Sequence, residues 1–167
     1  MQEHGAFGYN RECDVAEKGL LVQDAVELYR GDVSGLKSVG FRSFEAKSQG
    51  NDQALAGLLD MDLDELERRM EDHANSRFLS WFVSATSDIR VACYFATNGC
   101  KNDGSIYVLT RSPLARANPF DTVEITLCDG KTVVKEMEWV WFSYVDPSYI
   151  VAERPVTPAD CECLPNP

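Results

Sequence analysis

The stretch from 78 to 96, FLSWFVSATSDIRVACYFA, constrains the fold most, because an apolar segment runs directly into a cluster of hydroxyl side chains and then into a helical pattern. Residues 78–83 are apolar enough to predict a buried strand. Ser87 can cap a helix over 88–97, and the Asn-Gly that follows is typical of a helix end. The sequence therefore predicts a strand and a helix that pack together. The hydroxyl cluster at the predicted strand end, which serves either as a plain helix cap or as part of a site, consists of Ser84, Thr86 and Ser87.

The rest of the chain divides into a helical first part and a strand-rich second part. The mix of apolar and charged residues over 14–27 predicts a helix. The helical spacing of apolar residues over 52–73 predicts one or two helices. Between these two segments, 28–32 predicts a short strand and the polar segment 37–51 predicts a loop. This order favours an α+β fold over alternating βαβ units. Further strands, two of them separated by a Pro-containing stretch at 112–120, are predicted over 105–110, 122–128, 131–142 and 148–153.

Length and charge limit the number of domains and the classes of partner. A chain of 167 residues with 44% hydrophobic residues is the size of one domain. We expect its core over about 28–152, with flexible ends at 1–12 and 155–167. The formal net charge of -11 repels nucleic-acid backbones and anionic membranes, so neither is expected as a partner. An anionic ligand must then be held by a local basic feature.

Targeting signals and cysteines leave the compartment open. The first ten residues lack the basic and apolar regions of a Sec-type signal, and no stretch reaches the roughly 18 apolar residues of a membrane span. The six cysteines show no repeated CxxC spacing, and with two histidines in the chain no structural metal is expected. Cys93 is predicted as a small core residue. Cys161 and Cys163 lie in a Pro-rich tail that either frays or carries a disulfide.

Charged side chains stand beside apolar segments at two further places. Arg30 closes the predicted strand at 28–32, where it either serves a site or forms a surface ion pair with a neighbouring acid. Glu136 and Glu138 are two residues apart in VKEMEWVW, so they face the same side of an extended chain. Because burial of an unpaired carboxylate is costly, these acids pair, line a cleft or lie on the solvated face of an edge strand.

Three of these motifs occur in the order of the Arg-Ser-Glu mono-ADP-ribosyltransferases, and the chain resembles the cholera-toxin-like branch of that family. LYRGD at 28–32 supplies the arginine, FVSATSDIRVACYFA at 82–96 supplies a hydroxyl motif followed by a helix, and KEMEWVWFSYVDPSYI at 135–150 supplies the E-x-E. SIYVLT at 105–110 resembles a strand of the YVYxI kind. DHA at 72–74 resembles a histidine that precedes the Ser motif in several toxins.

The resemblance extends from Leu28 to about Val151 and carries an expectation about the fold. It implies an ADP-ribosyltransferase-like split β-sandwich, with helices mostly from the N-terminal half and an NAD site in the cleft between two short sheets. The sequence has neither a Gly-rich dinucleotide fingerprint nor a P-loop, which disfavours NAD binding by a Rossmann unit. The chain departs from the family pattern in two places, namely Ser84-Ala85-Thr86 in place of Ser-Thr-Ser and Trp-Val-Trp after Glu138.

The resemblance also implies roles in the cleavage of the nicotinamide-ribose bond of NAD. Glu138 would stabilise the cation that develops on the ribose, since a fixed carboxylate beside the 2′-hydroxyl favours that charge. Arg30 would bind the pyrophosphate with its planar set of donors. Ser84 would contact the ribose and hold Glu138, and Thr86 would support the strand end. His73 would contact NAD, with a helix cap or a surface position as its alternative.

Glu136 is implied to orient or deprotonate the acceptor, typically a guanidinium. The expected function is that of a mono-ADP-ribosyltransferase acting as a toxin or effector, with NAD as substrate and an arginine side chain of a protein as acceptor. Such a protein is expected to be secreted or delivered and to act in the cytoplasm of a target cell. The alternatives are an NAD glycohydrolase or a nucleic-acid ADP-ribosyltransferase of the same fold, and a non-catalytic acidic binding module.

Overall fold

The fold is taken from a computed structural model that describes residues 27–76 and 80–164. Throughout these residues the strands pair antiparallel and helices pack beside them, so the predicted α+β class is confirmed. The predicted helix over 14–27, except for Glu27, and the predicted flexible end at 1–12 lie outside the described residues. The strands are β1 (Leu28–Asp32), β2 (Phe41–Arg42), β3 (Phe82–Thr86), β4 (Gly104–Leu109), β5 (Ala115–Ala117), β6 (Glu124–Thr126), β7 (Val133–Lys135), β8 (Glu138–Phe142), β9 (Tyr144–Val145) and β10 (Ile150–Val156).

The largest sheet opens between its two central strands. It has six strands in the order β10, β4, β1, β3, β8 and β5, and two small sheets are formed by β2 with β9 and by β6 with β7. Strand β1 pairs with β4 along its whole length, and β3 pairs with β8 in the same way. Between β1 and β3 the register is a single pair, Tyr29 opposite Thr86. The two strands therefore diverge from this point.

The helices include a pair that the sequence predicted and one that it missed. Two helices occupy the segment 52–73 as predicted, whereas the predicted loop over 37–51 contains β2 and a helix. That helix begins where it does because the Ser43 hydroxyl accepts a hydrogen bond from the Ala46 amide at 3.1 Å. The helices are α1 (Phe44–Gln49), α2 (Asn51–Leu59), α3 (Leu63–Asn75), α4 (Ile89–Ala96) and α5 (Pro158–Cys161).

The boundaries of β3 and α4 differ from the prediction. The strand predicted over 78–83 begins at Phe82 and runs to Thr86, so Ser84 lies in its middle and not at its end. Helix α4 is capped by Asp88, whose carboxylate accepts a hydrogen bond from the Arg90 amide at 2.9 Å, and not by Ser87. An apolar run shows that a strand is present, but pairing with β8 decides which of its residues form the ladder.

The strands of the second half are largely those predicted, with two corrections. The segment 131–142 is divided into β7 and β8, because Met137 has a φ of 55° and turns the chain. The stretch 112–120, which the sequence predicted only as a separator, contains the edge strand β5. The remaining predictions, over 105–110, 122–128 and 148–153, are confirmed by β4, β6 and β10.

Helix α4 lies unusually close to the sheet because two glycines face it. A Cβ atom at Gly31 of β1 would lie 1.8 Å from the Ala92 carbonyl oxygen, and one at Gly104 of β4 would lie 1.8 Å from the Ala96 carbonyl oxygen. Only glycine permits this approach. The helix and the sheet face then share a core of buried apolar side chains that includes Tyr29, Ala92, Cys93, Ala96, Ile106 and Val108.

Hydrogen bonds with β4 and with the edge strand β10 hold the segment that follows β1, over residues 33–36. The Tyr107 hydroxyl donates to the Val33 carbonyl oxygen at 2.5 Å, and burial raises the pKa of that phenol. The Glu153 carboxylate of β10 accepts hydrogen bonds from the Gly35 and Leu36 amides at 2.9 and 3.2 Å. Its pKa is lowered mainly by the neighbouring Tyr107 hydroxyl, with smaller contributions from these amides. These contacts fix the path of the chain beyond Asp32.

The C-terminal segment is folded, which corrects the predicted flexible end at 155–167 for its residues up to 164. Strand β10 continues to Val156, and α5 follows it. The Thr157 hydroxyl accepts a hydrogen bond from the Asp160 amide, and the Asp160 carboxylate accepts one from the Thr157 amide. This capping box fixes the start of α5.

Disulfides connect α4 and the turn that follows it to two other parts of the chain. Cys93 of α4 is buried in the core as predicted, and it is bonded to Cys161 of α5. Cys100, in the turn after α4, is bonded to Cys128 in the connection between β6 and β7. Cys163 is disulfide-bonded as well. For the part of the tail up to Leu164, fraying is therefore wrong and the disulfide is correct.

Candidate active site

A cleft of about 700 Å³ opens where β1 and β3 diverge. Its volume falls in the range of small-molecule sites, roughly 300 to 1,000 Å³. Helix α4 forms one wall with Ala92 and Phe95, and the start of α1 contributes a second wall. The charged and hydroxyl side chains that line it include Arg30, Asp32, His73, Ser84, Thr86 and Glu136. Most of the residues that the sequence singled out therefore face one space.

Arg30 bridges the gap between the two diverging strands. Its Nη1 donates to the Ser84 carbonyl oxygen at 2.8 Å, so the guanidinium occupies the place where a backbone ladder bond is missing. Its Nη2 donates to Asp32 Oδ2 at 2.8 Å, and its Cζ lies 4.7 Å from the centroid of the Phe41 ring. The ion pair that the sequence offered as an alternative is thus present, and Arg30 lines the cleft at the same time.

His73, near the end of α3, is buried between two serines and a carboxylate. Its Nδ1 lies 2.5 Å from Ser80 Oγ and its Nε2 lies 2.8 Å from Ser84 Oγ. The same Nε2 is 3.6 Å from Glu138 Oε1. The predicted alternative of a surface position is therefore wrong, and the histidine belongs to the wall of the cleft.

The hydrogen bonds around His73 form a directed chain that ends at Glu138. The Ser84 hydroxyl donates to Glu138 Oε2 at 3.3 Å, so its oxygen is left to accept from His73 Nε2. At the other end, Ser80 Oγ accepts from the Phe82 amide at 3.0 Å. His73 Nε2 is therefore the donor to Ser84, and His73 Nδ1 shares a hydrogen bond with Ser80 Oγ. This arrangement orients Ser84 and its proton toward the carboxylate.

Glu138 opens β8 opposite Thr86, and its side chain is fully buried. Its carboxylate lies behind the cleft wall, where it contacts Ser84 and His73, and both of these residues line the cleft. On the other side, Asn118 Nδ2 donates to Glu138 Oε1 at 2.9 Å, and Asp121 Oδ2 accepts from the Glu138 amide at 3.1 Å. Sequence reasoning missed both Asn118 and Asp121. They stand in ANPFD, whose composition indicates only a turn.

Glu136 is not on the same strand as Glu138. It lies between β7 and β8, its amide donates to the Val123 carbonyl oxygen at 3.0 Å, and the turn at Met137 separates the two acids. The prediction that they share one side of an extended chain is therefore wrong. Both side chains are nevertheless buried, which excludes the alternative of a solvated edge.

Thr86 holds the Glu136 backbone against the start of α4. Its hydroxyl donates to the Glu136 carbonyl oxygen at 2.8 Å and accepts from the Asp88 amide at 3.1 Å. Thr86→Val keeps the shape and removes both bonds, so we expect the free energy of unfolding to fall by about 2 kcal/mol. Urea unfolding measures this, with Thr110→Val at an exposed position as the control. Equal stabilities of the two variants would contradict the bridging role.

A second cleft of about 630 Å³ meets the first at Glu136 and Phe95, which line both. Strand β6 forms one side of it, with Glu124 and Ile125. The end of α3 and Tyr94 of α4 form the other side. Glu136 therefore stands between two spaces that are each large enough for part of a ligand.

The described ranges contain no cluster of three or more side chains placed to hold a metal ion. In the same ranges, none of the helices has the length and apolar character needed to cross a membrane. Comparison with known proteins does not assign the chain to a family, because no family model matches it and a search of curated proteins finds no match. The function is accordingly inferred from the geometry of the cleft.

Proposed function

We propose that the chain is a mono-ADP-ribosyltransferase that cleaves NAD and transfers ADP-ribose to an arginine side chain of a protein. The observation that carries this proposal is that Arg30, His73 and Ser84 line one cleft where β1 and β3 diverge, with the buried Glu138 carboxylate directly behind Ser84. The opening in the sheet also supports the finer fold proposal, an ADP-ribosyltransferase-like split β-sandwich.

The cleft supplies positive charge that the average surface lacks. Arg30, Arg42 and Lys47 all line it and balance the three acids of its lining, in a chain whose formal net charge is -11; these acids are Asp32, Asp103 and Glu136. Guanidinium groups bind phosphate oxygens with two parallel donors, and in this cleft they would hold the pyrophosphate of NAD. Arg30 would exchange part of its contact with Asp32 for this ligand. These basic side chains support an anionic ligand such as NAD.

The bond that breaks joins the ribose C1′ to the nicotinamide nitrogen, and its electron pair leaves with nicotinamide. The positive charge left on the ribose is stabilised by the Glu138 carboxylate, which acts through Ser84 at the cleft wall. Because Glu138 is buried, its charge acts in a region that water does not screen. His73 keeps Ser84 oriented, and Thr86 keeps Glu136 and the start of α4 in place.

The acceptor side of the reaction is assigned to Glu136 and the second cleft. A guanidinium nitrogen that enters beside Glu136 would bond to C1′ and lose a proton to this carboxylate. Glu124 adds a second negative charge to the same cleft. Two carboxylates beside an opening favour a cationic side chain over water or a phosphate backbone. This charge supports arginine as the acceptor.

The disulfides support a secreted or delivered protein. Cys93–Cys161 and Cys100–Cys128 are formed, and disulfides of this kind persist in oxidising compartments. A toxin or effector that is exported before it acts in the cytoplasm of a target cell would fold in such a compartment. The cytoplasmic site of action is a proposal from the resemblance alone.

Release of nicotinamide from NAD by the purified protein tests the proposal. We expect Glu138→Gln to lower the rate about 10²- to 10³-fold, because a charge positioned for the transition state is removed while the shape is kept. NAD binding, measured by calorimetry, should change little. The matched control is Glu67→Gln, which removes an exposed carboxylate from α3.

The acceptor is identified by repeating the assay with poly-arginine and with a crude lysate. Labelled poly-arginine supports transfer to arginine, whereas release without any labelled acceptor would indicate a glycohydrolase. If the wild type neither releases nicotinamide nor binds NAD, the proposed enzymatic function is overturned and an acidic binding module is favoured.

A further inference from the structure

Asn118 is buried directly behind the candidate site, and all of its side-chain hydrogen-bonding groups are used. One Nδ2 hydrogen is donated to Glu138 Oε1 at 2.9 Å and the other to the Met70 carbonyl oxygen at 3.1 Å. The Oδ1 atom accepts a hydrogen bond from the Phe120 amide at 3.1 Å. The Oδ1 contact is that of an Asx turn, but a turn needs neither of the two Nδ2 contacts, so the residue does more than reverse the chain.

The orientation of this amide is determined by its neighbours. If the oxygen and nitrogen were exchanged, Oδ1 would face a carboxylate oxygen of Glu138 and the carbonyl oxygen of Met70, and both contacts would repel. The Phe120 amide would then face a second donor. The side chain therefore presents a donor to Glu138 in its one satisfied orientation.

The contact to Met70 connects Glu138 to the helix that carries His73. Met70 and His73 lie one turn apart on α3, and Asn118 joins that turn to the first residue of β8. Asn118 belongs to neither α3 nor β8, and its contacts support the separation of 3.6 Å between His73 Nε2 and Glu138 Oε1. The Asn118 amide nitrogen adds a bond to the Glu138 carbonyl oxygen at 2.9 Å, which extends the ladder between β5 and β8.

The same short segment also holds the backbone of Glu138. Asp121 Oδ2 accepts from the Glu138 amide at 3.1 Å, and Asp121 Oδ1 accepts from the Val123 amide at 3.1 Å. Asn118 and Asp121 together contact the amide, the carbonyl and the carboxylate of Glu138. A side chain with this many fixed neighbours has little freedom to rotate.

We propose that Asn118 is a positioning residue that fixes the Glu138 carboxylate toward Ser84. By donating to Oε1, it directs Oε2 to the Ser84 hydroxyl. The inference rests on the proposed transferase function, in which this carboxylate stabilises the ribosyl cation. It adds a residue to which no motif of the chain had drawn attention.

Two variants test the role in turnover. Asn118→Asp keeps nearly the same volume, Asn118→Leu keeps the same branching at Cγ, and both remove the Nδ2 donor. We expect kcat for nicotinamide release to fall about 10²-fold, as a displacement of about 1 Å at a reacting group does, while KM for NAD stays within about threefold. Gln53→Glu on α2 adds an exposed carboxylate and serves as the charge control for Asn118→Asp. A wild-type kcat in Asn118→Leu, or equal changes in kcat and KM, would overturn the inference.

A measurement without NAD separates this inference from the proposed function and does not require a substitution at Asn118. The side-chain amide resonances of Asn118 are recorded by NMR in the wild type, in Glu138→Gln and in Gln53→Glu. We expect them to shift in Glu138→Gln alone, because the charged acceptor of Nδ2 is replaced. If they do not shift, Asn118 does not position Glu138. If they shift in a protein that releases no nicotinamide, the contact stands and the transferase function is overturned.

Discussion

Loss of the Cys93–Cys161 disulfide is expected to lower the free energy of unfolding by about 4 kcal/mol, and loss of Cys100–Cys128 by a similar amount. The two bonds close segments with sequence separations of 68 and 28, and a cross-link stabilises mainly by restricting the unfolded chain. Because the shorter segment lies inside the longer one, the joint loss should be smaller than the sum. Urea unfolding of the oxidised wild type and of a variant that lacks both bonds measures the combined effect, since full reduction would also break the disulfide of Cys163.

Paired substitutions separate the contributions of the two disulfides. In Cys93→Ala with Cys161→Ala, α5 loses its covalent link to α4, and unfolding should begin at a lower urea concentration. In Cys100→Ser with Cys128→Ser, the β6–β7 hairpin is released next to the second cleft. We expect the second pair to affect transfer to an acceptor more than release of nicotinamide. Unchanged urea midpoints in both pairs would show that the bonds add nothing to stability.

Gly31→Ala is expected to destabilise the protein by about 3 kcal/mol, as overpacking at a rigid contact does. The new methyl group would lie 1.8 Å from the Ala92 carbonyl oxygen and 2.4 Å from the Ala96 amide nitrogen. Both are backbone atoms of α4, so no change of rotamer relieves the clash and the whole helix has to move. Because Ala92 and Ala96 also line the cleft, NAD binding should weaken together with stability.

Gly57→Ala in α2 is the matched control for this substitution. Its methyl group would meet only the Trp81 ring, at 3.1 Å, and a ring can shift. Alanine is also the better helix former by about 1 kcal/mol, so we expect little change or a small gain in stability. The two variants are compared by thermal unfolding and by calorimetry with NAD. A Gly31→Ala protein as stable as Gly57→Ala would contradict the close contact between α4 and β1.

Local patterns were sufficient for the fold class and for several elements. The helices over 52–73 and the strands β1 and β4 were predicted because helical spacing and β-rich runs are properties of neighbouring residues. Arg30 and Ser84 were singled out because each was predicted to end an apolar strand, and the structure places both at the cleft. The prediction of a loop over 37–51 was wrong because a cap at Ser43 starts a short helix there, and this helix is too short to show an apolar repeat.

The sequence by itself determined an α+β chain with polar side chains set into apolar strands, because both features depend on residues that are neighbours along the chain. The tertiary structure alone decided that Ser84 donates to Glu138, that Asn118 holds the same carboxylate and that Cys93 is bonded to Cys161. These contacts join residues 54, 20 and 68 positions apart. They are set by strand register and by the path of the chain, and a turn at Met137 is enough to change which side chains meet.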